Sequence, residues 1–346
     1  MRGPLKSAAG LALLPVLALA AGCSAGGAGT DAAPADPTAS APSSSAPVTA
    51  YAPYVSAGTA SATEAAGSPT TYNLAFVISS GSGCTPYWNG TQDIGDESVT
   101  SRIAGLTGSG ADVRVSFGAD VRVSFGGASG DELAATCDSA AELAGAYGAA
   151  LDAAGATRAD FDIEGDELTD SASVDLRSEA LALLQEERAA LEVSFTLPVM
   201  PSGLDQDGLD LLESANDHGV RVATVNIMTM NYGESYDGDM GDYALAAARA
   251  TQTQLRDVFG LSAAGAWRGM ALTSMIGVND VAGETFTLED AAEVRDFARE
   301  KGVAWVSMWS AFRDRECGEV ASVDDPLTDC SGVEQEDGAF AEALAG

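Results

Sequence analysis

The sequence predicts an α/β chain folded as a (β/α)8 TIM barrel, a single catalytic domain behind a signal peptide and a flexible linker. Three observations carry this. Eight apolar runs of strand length recur between residues 51 and 309, and most are followed by a stretch with apolar residues at helical spacing. No Gly-x-Gly-x-x-Gly turn follows the first strand, which lowers the alternative of a doubly wound open sheet. Residues 160–164, Asp-Phe-Asp-Ile-Glu, put three acids on one face of a strand and Phe161 and Ile163 on the other. Such a strand is costly unless its acids face water, a metal or a reaction. In a barrel they face the interior, with Glu164 nearest the rim.

In chain order, residues 1–22 read as a signal peptide. Arg2 and Lys6 supply the charge, residues 11–20 an apolar run too short to span a bilayer, and Ala20-Ala21-Gly22 the small residues before Cys23. The segment resembles a bacterial lipoprotein signal, which implies a lipidated Cys23 and a chain held outside the cell, at the outer face of the membrane, by a lipid anchor. Residues 23–50 are almost entirely Ala, Gly, Ser, Pro, Thr and Asp, cannot bury a core, and read as a tether to a domain over 51–346.

Strands are predicted over 51–55, 72–78, 121–125, 159–163, 192–197, 222–230, 269–275 and 303–309. Helices are predicted over 131–154, 171–191, 207–216, 242–259 and 288–301. The first helix position, between 55 and 72, is rich in Ser, Thr and Gly and poorly formed. Residues 111–118 and 119–126 are identical, Ala-Asp-Val-Arg-Val-Ser-Phe-Gly, and a barrel has room for one such strand. The second copy leads into Gly127-Ala-Ser-Gly130, a plausible active-site loop. The strand is therefore assigned to 121–125 and the first copy to an insertion. Strand use of the first copy, with the second bulged out, stays open.

Composition narrows the chemistry. A net charge of −34 argues against nucleic acid and anionic membrane surfaces as partners and favours a neutral or cationic substrate. The single histidine, His218, lies at a predicted helix end and reads as a cap. One histidine excludes a His-rich zinc site and argues against a Ser-His-Asp triad. No metal or cofactor is expected. With Cys23 set aside, four of the five cysteines remain for an oxidising compartment. The favoured pairs are Cys84 with Cys137 and Cys317 with Cys330; the other two connectivities stay open.

Acids confined on one strand cannot all ionise cheaply, so at least one pKa must rise. A raised Glu is what a general acid needs near neutral pH, and this points to glycoside hydrolysis. Residues 157–164, Thr-Arg-Ala-Asp-Phe-Asp-Ile-Glu, resemble the Asp-x-x-Asp-x-Asp-x-Glu signature of family 18 glycoside hydrolases, the chitinases and related endo-N-acetylglucosaminidases. Tyr51-Ala-Pro-Tyr54, Ser124-Phe-Gly-Gly127, Met228-Thr-Met-Asn-Tyr-Gly233 and Ser307-Met-Trp-Ser310 resemble that family's first, third, sixth and eighth strands. The likeness covers residues 51–315 and looks strongest to a secreted bacterial and archaeal chitinase branch.

The resemblance implies a substrate-assisted mechanism on chitin or N-acetylglucosamine oligosaccharides by a monomer. Glu164 would be the general acid and base, and Asp162 would orient the acetamido group. Asp160 would share a proton with Asp162, Tyr232 would position the acetamido group, and Trp309 would floor the sugar site. Tyr54, Gly127, Met228 and Asn231 would contact substrate. Asn279-Asp280 reads equally as a sugar contact or a loop turn. Three positions depart from the pattern: Thr157 replaces the first Asp, Asn231 an Asp on the sixth strand, and Phe312 an Asn. Two alternatives stay open, an endo-β-N-acetylglucosaminidase acting on N-glycan cores and a weakly catalytic sugar-binding protein on the same fold.

Overall fold

The computed structural model describes residues 48–81, 83–108, 119–318 and 329–346. The expected signal peptide, the lipidated Cys23, almost all of the tether and the first repeat copy at 111–118 lie outside the described residues.

The described residues begin with two short strands, β1 (Ala50–Tyr51) and β2 (Tyr54–Ser56). Pro53 lies between them and has no N–H for a ladder, which is why the predicted strand over 51–55 is interrupted. Next come β3 (Thr71–Ser79), the hairpin β4 (Pro86–Trp88) and β5 (Gln92–Asp93), helix α1 (Glu97–Thr107), β6 (Asp120–Gly126) and α2 (Ala140–Ala154). Then follow β7 (Arg158–Asp162), α3 (Gly165–Thr169), α4 (Ser171–Glu187), β8 (Glu192–Pro198), α5 (Gln206–Asp217), β9 (Val222–Met228), α6 (Met240–Phe259) and α7 (Ala263–Arg268). The chain ends with β10 (Met270–Met275), the hairpin β11 (Gly277–Val278) and β12 (Thr285–Phe286), α8 (Leu288–Lys301), β13 (Trp305–Trp309) and α9 (Ala339–Ala345).

Neighbouring strands run in the order β1-β13-β10-β9-β8-β7-β6-β3, all parallel, with β2 also parallel to β3 and β4–β5 antiparallel beside it. On one side of the 50–57 segment, Ala50 N and Ala52 N donate to Ala304 O and Val306 O. On the other, Asn73 N donates to Pro53 O and Ala57 N to Ala75 O. The second repeat copy supplies β6.

Local sequence sets the helix ends. Ser139, Asp170, Asp239 and Thr287 cap α2, α4, α6 and α8 through their side chains, and Asp290 completes a capping box on α8. Glycines with left-handed backbone follow α1, α2, α6 and α8. Two expectations need correction. Helix α1 was not anticipated, because it buries only Val99 and Ile103 and carries no broad apolar stripe. The helix predicted over 131–154 starts only at Ala140. Ahead of it Glu132 turns inward, Leu133–Ala135 forms a 3-10 turn, and Cys137 is tied to Cys84. A second disulfide joins Cys317 to Cys330.

Strand alternation divides the molecule into two interiors. On the helix side, the stacked rings of Phe125 and Phe161 lie 5.1 Å apart and Tyr147 of α2 meets both at 4.9 Å. Each such buried ring stabilises the fold by roughly 2–3 kcal/mol relative to exposure. On the opposite face of the same strands lie Ser124, Asp160, Asp162, Ser194, Thr196 and Asn226, all buried.

Candidate active site

Asp160 is fully buried at the centre of that polar face. Its Oδ2 accepts hydrogen bonds from Tyr54 Oη (2.9 Å) and Ser124 Oγ (2.8 Å). Its Oδ1 accepts from Ser194 Oγ and Thr196 Oγ1, both at 2.8 Å. Four hydroxyls from β2, β6 and β8 therefore satisfy one carboxylate. The hydrogen bonds described for Asp160 all come from hydroxyls, and Asp160 reaches Asp162 through its negative charge.

Asp162, one inward step higher, is 5% exposed, and its Oδ1 is buried without a hydrogen-bond partner. Its carboxyl is hydrogen-bonded to Glu164 and sits well above the usual carboxylate range, first because of burial and then because Glu164 and Asp160 crowd it with negative charge. Gly127 N donates to Asp162 O (2.9 Å) and Ile163 N to Thr196 O (3.0 Å), so the backbone around Asp162 is fixed on both sides.

Glu164 occupies the N-cap position of α3 in extended backbone, but its side chain makes no cap hydrogen bond and stays available to the cleft. Burial raises its pKa; the bond to Asp162 opposes this, while Glu167 and Asp280 add to it. The cavity against Glu164 has a volume of about 230 Å³ and is lined by Pro198, Met200, Asp205, Met228, Met230 and Asn231 among others. Asp205, Met200 and Met230 were not singled out from sequence. Asp205 is recognisable only as the cap of α5, and the methionines carry no motif.

Beyond Asp160, an aromatic group rises to the rim. Tyr54 and Trp309 rings lie 5.9 Å apart, Phe76 stacks on Trp309 at 5.6 Å and 23°, and Phe312 meets Trp309 edge-on at 5.8 Å. Trp309 and Phe76 are half-buried and present area for stacking on a sugar. Phe76 was missed because nothing in β3 separates it from an ordinary core phenylalanine. The departure at Phe312 extends this aromatic group.

Several expected substrate contacts take other places. Tyr54 is 1% exposed and spends its hydroxyl on Asp160, Thr196 and Asn226, so it positions the acid and does not reach the cleft. Gly127 is buried with φ +94°, and its N–H is engaged by Asp162 O. An added Cβ there would fall 2.8 Å from the Phe76 ring, which explains the glycine better than a ligand contact does. Tyr232 is 4% exposed, packs its ring against Tyr236 and Tyr243, and does not line the Glu164 cavity. Met228 and Asn231 do line it. Asn279 is buried and donates to Met275 O and Gly277 O, the loop-turn role. His218 is the C-cap of α5, with Nδ1 against Ser214 O at 2.9 Å.

Behind the β6–β7 junction lies a buried ion pair that the sequence did not reveal. Glu132 accepts from Arg177 Nε (3.0 Å) and Nη2 (2.8 Å), from Tyr147 Oη (2.6 Å) and from Ala134 N (3.0 Å). Both charged side chains are at most 2% exposed.

No family model matches the chain. Over 257 residues, 70% of the chain, it is 32% identical to a probable bifunctional chitinase/lysozyme of Escherichia coli K12, of which it covers 28%. It is 31% identical over 256 residues, again 70% of the chain, to endochitinase 11 of Metarhizium anisopliae, of which it covers 47%. The chain thus spans between about a quarter and a half of the length of these curated relatives. The catalytic domain of a hyperthermophilic chitinase from Pyrococcus furiosus superposes with a TM-score of 0.72 at 29% identity, over 86% of this chain and 95% of that one. A GH18 chitinase from Pseudoalteromonas aurantia shares the fold at 13% identity and a TM-score of 0.54, over 76% of this chain and 94% of that one. The chain is thus similar in sequence to two chitinases and shares its fold with solved chitinases, one of them a GH18 chitinase.

Proposed function

We propose that the protein is a retaining, chitinase-type hydrolase that cleaves β-1,4-linked N-acetylglucosamine chains, with Glu164 as general acid and base. The observation that carries this is the pairing of Asp162 with Glu164. One acid is buried with an oxygen awaiting a donor, and its neighbour holds a proton above the usual Glu range at the edge of a cleft. Protonated Glu164 gives its proton to the glycosidic oxygen as the C1–O bond breaks. The substrate's acetamido oxygen closes on C1 from the opposite face. The unpartnered Asp162 Oδ1 accepts the acetamido N–H, and the negative charge left on the hydrogen-bonded Asp162–Glu164 pair once Glu164 has given up its proton stabilises the cationic ring that forms. Glu164, now a carboxylate, takes a proton from the water that opens this ring at C1. Two displacements leave the configuration retained. Asp160, tied by four hydroxyls, holds Asp162 in register.

We read the parallel strand series as a closed eight-stranded barrel. What supports this is the 50–57 segment, which bonds to β13 on one side and β3 on the other. The same reading places the chain outside the cell, anchored through Cys23 and acting as a monomer; the N-terminal sequence supports the anchor. Mass spectrometry of the mature N-terminus tests the lipid.

The decisive experiment incubates the parent and Glu164→Gln with N-acetylglucosamine oligomers and follows products by mass spectrometry. Cleavage by the parent, with a loss of about 10³-fold or more in the variant and retained oligomer binding, is expected. Equal cleavage by both would remove Glu164 from the mechanism.

A further inference from the structure

The loops that follow β9 and β10 are locked together from both sides. Asn231 has left-handed backbone, φ +53°, which asparagine tolerates better than most residues. Its Oδ1 accepts from Asp280 N (3.1 Å) and Val281 N (3.4 Å), and its Nδ2 donates to Asp280 Oδ2 (3.4 Å). In return, Glu284 is 1% exposed and its Oε1 accepts from Gly233 N at 2.8 Å. Asn231 lines the Glu164 cavity, so this clamp holds an exposed carboxylate, Asp280, at the mouth of the cleft.

We propose that Asp280 is a positioning residue of the reaction, a fixed negative charge that the Asn231 amide holds beside Glu164 and that helps to keep the acid protonated. This rests on the role of Glu164 proposed above. An amide is the side chain this job requires. Its oxygen takes the two loop N–H groups while its N–H₂ meets the Asp280 carboxylate. An aspartate at 231 would satisfy the N–H groups but set a second negative charge against Asp280. Among the described residues, the other charged groups facing the pair are few. Asp162 on β7 and Glu167 on α3 act on Glu164. Asp205, the cap of α5, lines the same cavity. Arg313, in the turn after β13, faces Asp280 while its Nη2 donates to Val278 O (2.9 Å). Because Asp280 is exposed, its effect is screened by salt.

The sign follows from linkage. A general acid works only while protonated, so its activity falls as pH rises through its pKa. Removing a nearby negative charge lowers that pKa and moves the alkaline limb of kcat/KM to lower pH. The test measures pH profiles of kcat/KM on the N-acetylglucosamine tetramer for the parent, Asp280→Asn, Asn231→Ala and the double variant, each checked for folding by circular dichroism. The expected result is an alkaline limb displaced to lower pH in both single variants, with a several-fold loss above the limb and much less below it. The double variant should move no further than Asp280→Asn, and high salt should carry the parent toward the same profile. A rate reduced equally at all pH values, with an unmoved limb, would overturn the proposal and leave the clamp a loop brace. Fully additive displacements would also overturn it, because Asn231 would then act independently of Asp280. Glu164→Gln, assayed alongside, separates the two readings. Hydrolysis at the parental rate there sinks the role of Glu164 itself, whereas the expected loss in that variant together with an unmoved limb in Asp280→Asn sinks only the clamp.

Discussion

Replacing Gly127 with alanine tests how the backbone beneath the site shapes the sugar platform. The residue has φ +94°, and an added Cβ would lie 2.8–2.9 Å from three ring carbons of Phe76. Real Cβ atoms do not approach so closely, so either the ring or the β6 end must move. An L-residue held at such a φ costs about 1–3 kcal/mol, and forcing a ring aside in a packed site costs a further 1–3 kcal/mol or so. Gly127→Ala is thus expected to destabilise the protein by about 3 kcal/mol in urea unfolding. Phe76 also stacks on Trp309 at 5.6 Å, so displacing it disturbs the surface on which the sugar is proposed to rest, and KM should rise more than kcat falls. The same substitution in a Phe76→Ala background removes the ring clash and leaves only the backbone strain. The cycle should therefore show a coupling of about 1–3 kcal/mol. An identical cost for Gly127→Ala in both backgrounds would refute the close-approach argument. It would mean that only the backbone conformation requires glycine there.

Two further stability tests follow from the same structure. Glu132→Gln keeps the shape of the side chain but leaves the buried Arg177 guanidinium without its counter-charge, and should cost about 3 kcal/mol or more in urea unfolding. Adding Arg177→Met to that variant should recover much of the loss, and a double variant as unstable as the single one would contradict the ion-pair account. Replacing Cys84 and Cys137 with serine opens a 53-residue loop and should cost about 4 kcal/mol, against about 3 kcal/mol for the 13-residue loop between Cys317 and Cys330. Unfolding curves of the two serine pairs, recorded without reductant, check the order.

The sequence by itself determined the strand–helix alternation, because apolar period and helix caps are local signals. It also determined the placing of Asp160 and Asp162 on one strand face, because a strand has no other way to display residues two apart. The disulfide pairs were favoured in advance with two other connectivities left open, and it was the fold that brought Cys84 to Cys137 and Cys317 to Cys330. The segment at 131–139 misled because its alanines carry helical propensity, while Glu132 and Cys137 are claimed by partners far along the chain, Arg177 and Cys84. Only the tertiary structure decided how the polar residues divide their work. Tyr54, Asn279 and Asp280 all looked like candidates for substrate, since nothing local distinguishes a hydroxyl, amide or carboxylate aimed at a ligand from one consumed inside the protein. Folding set Tyr54 against Asp160, 106 residues away, and Asn231 against Asp280, 49 residues away. A hydrogen bond is a matter of ångströms and angles between groups brought together from distant loops, and no spacing within a single strand encodes it.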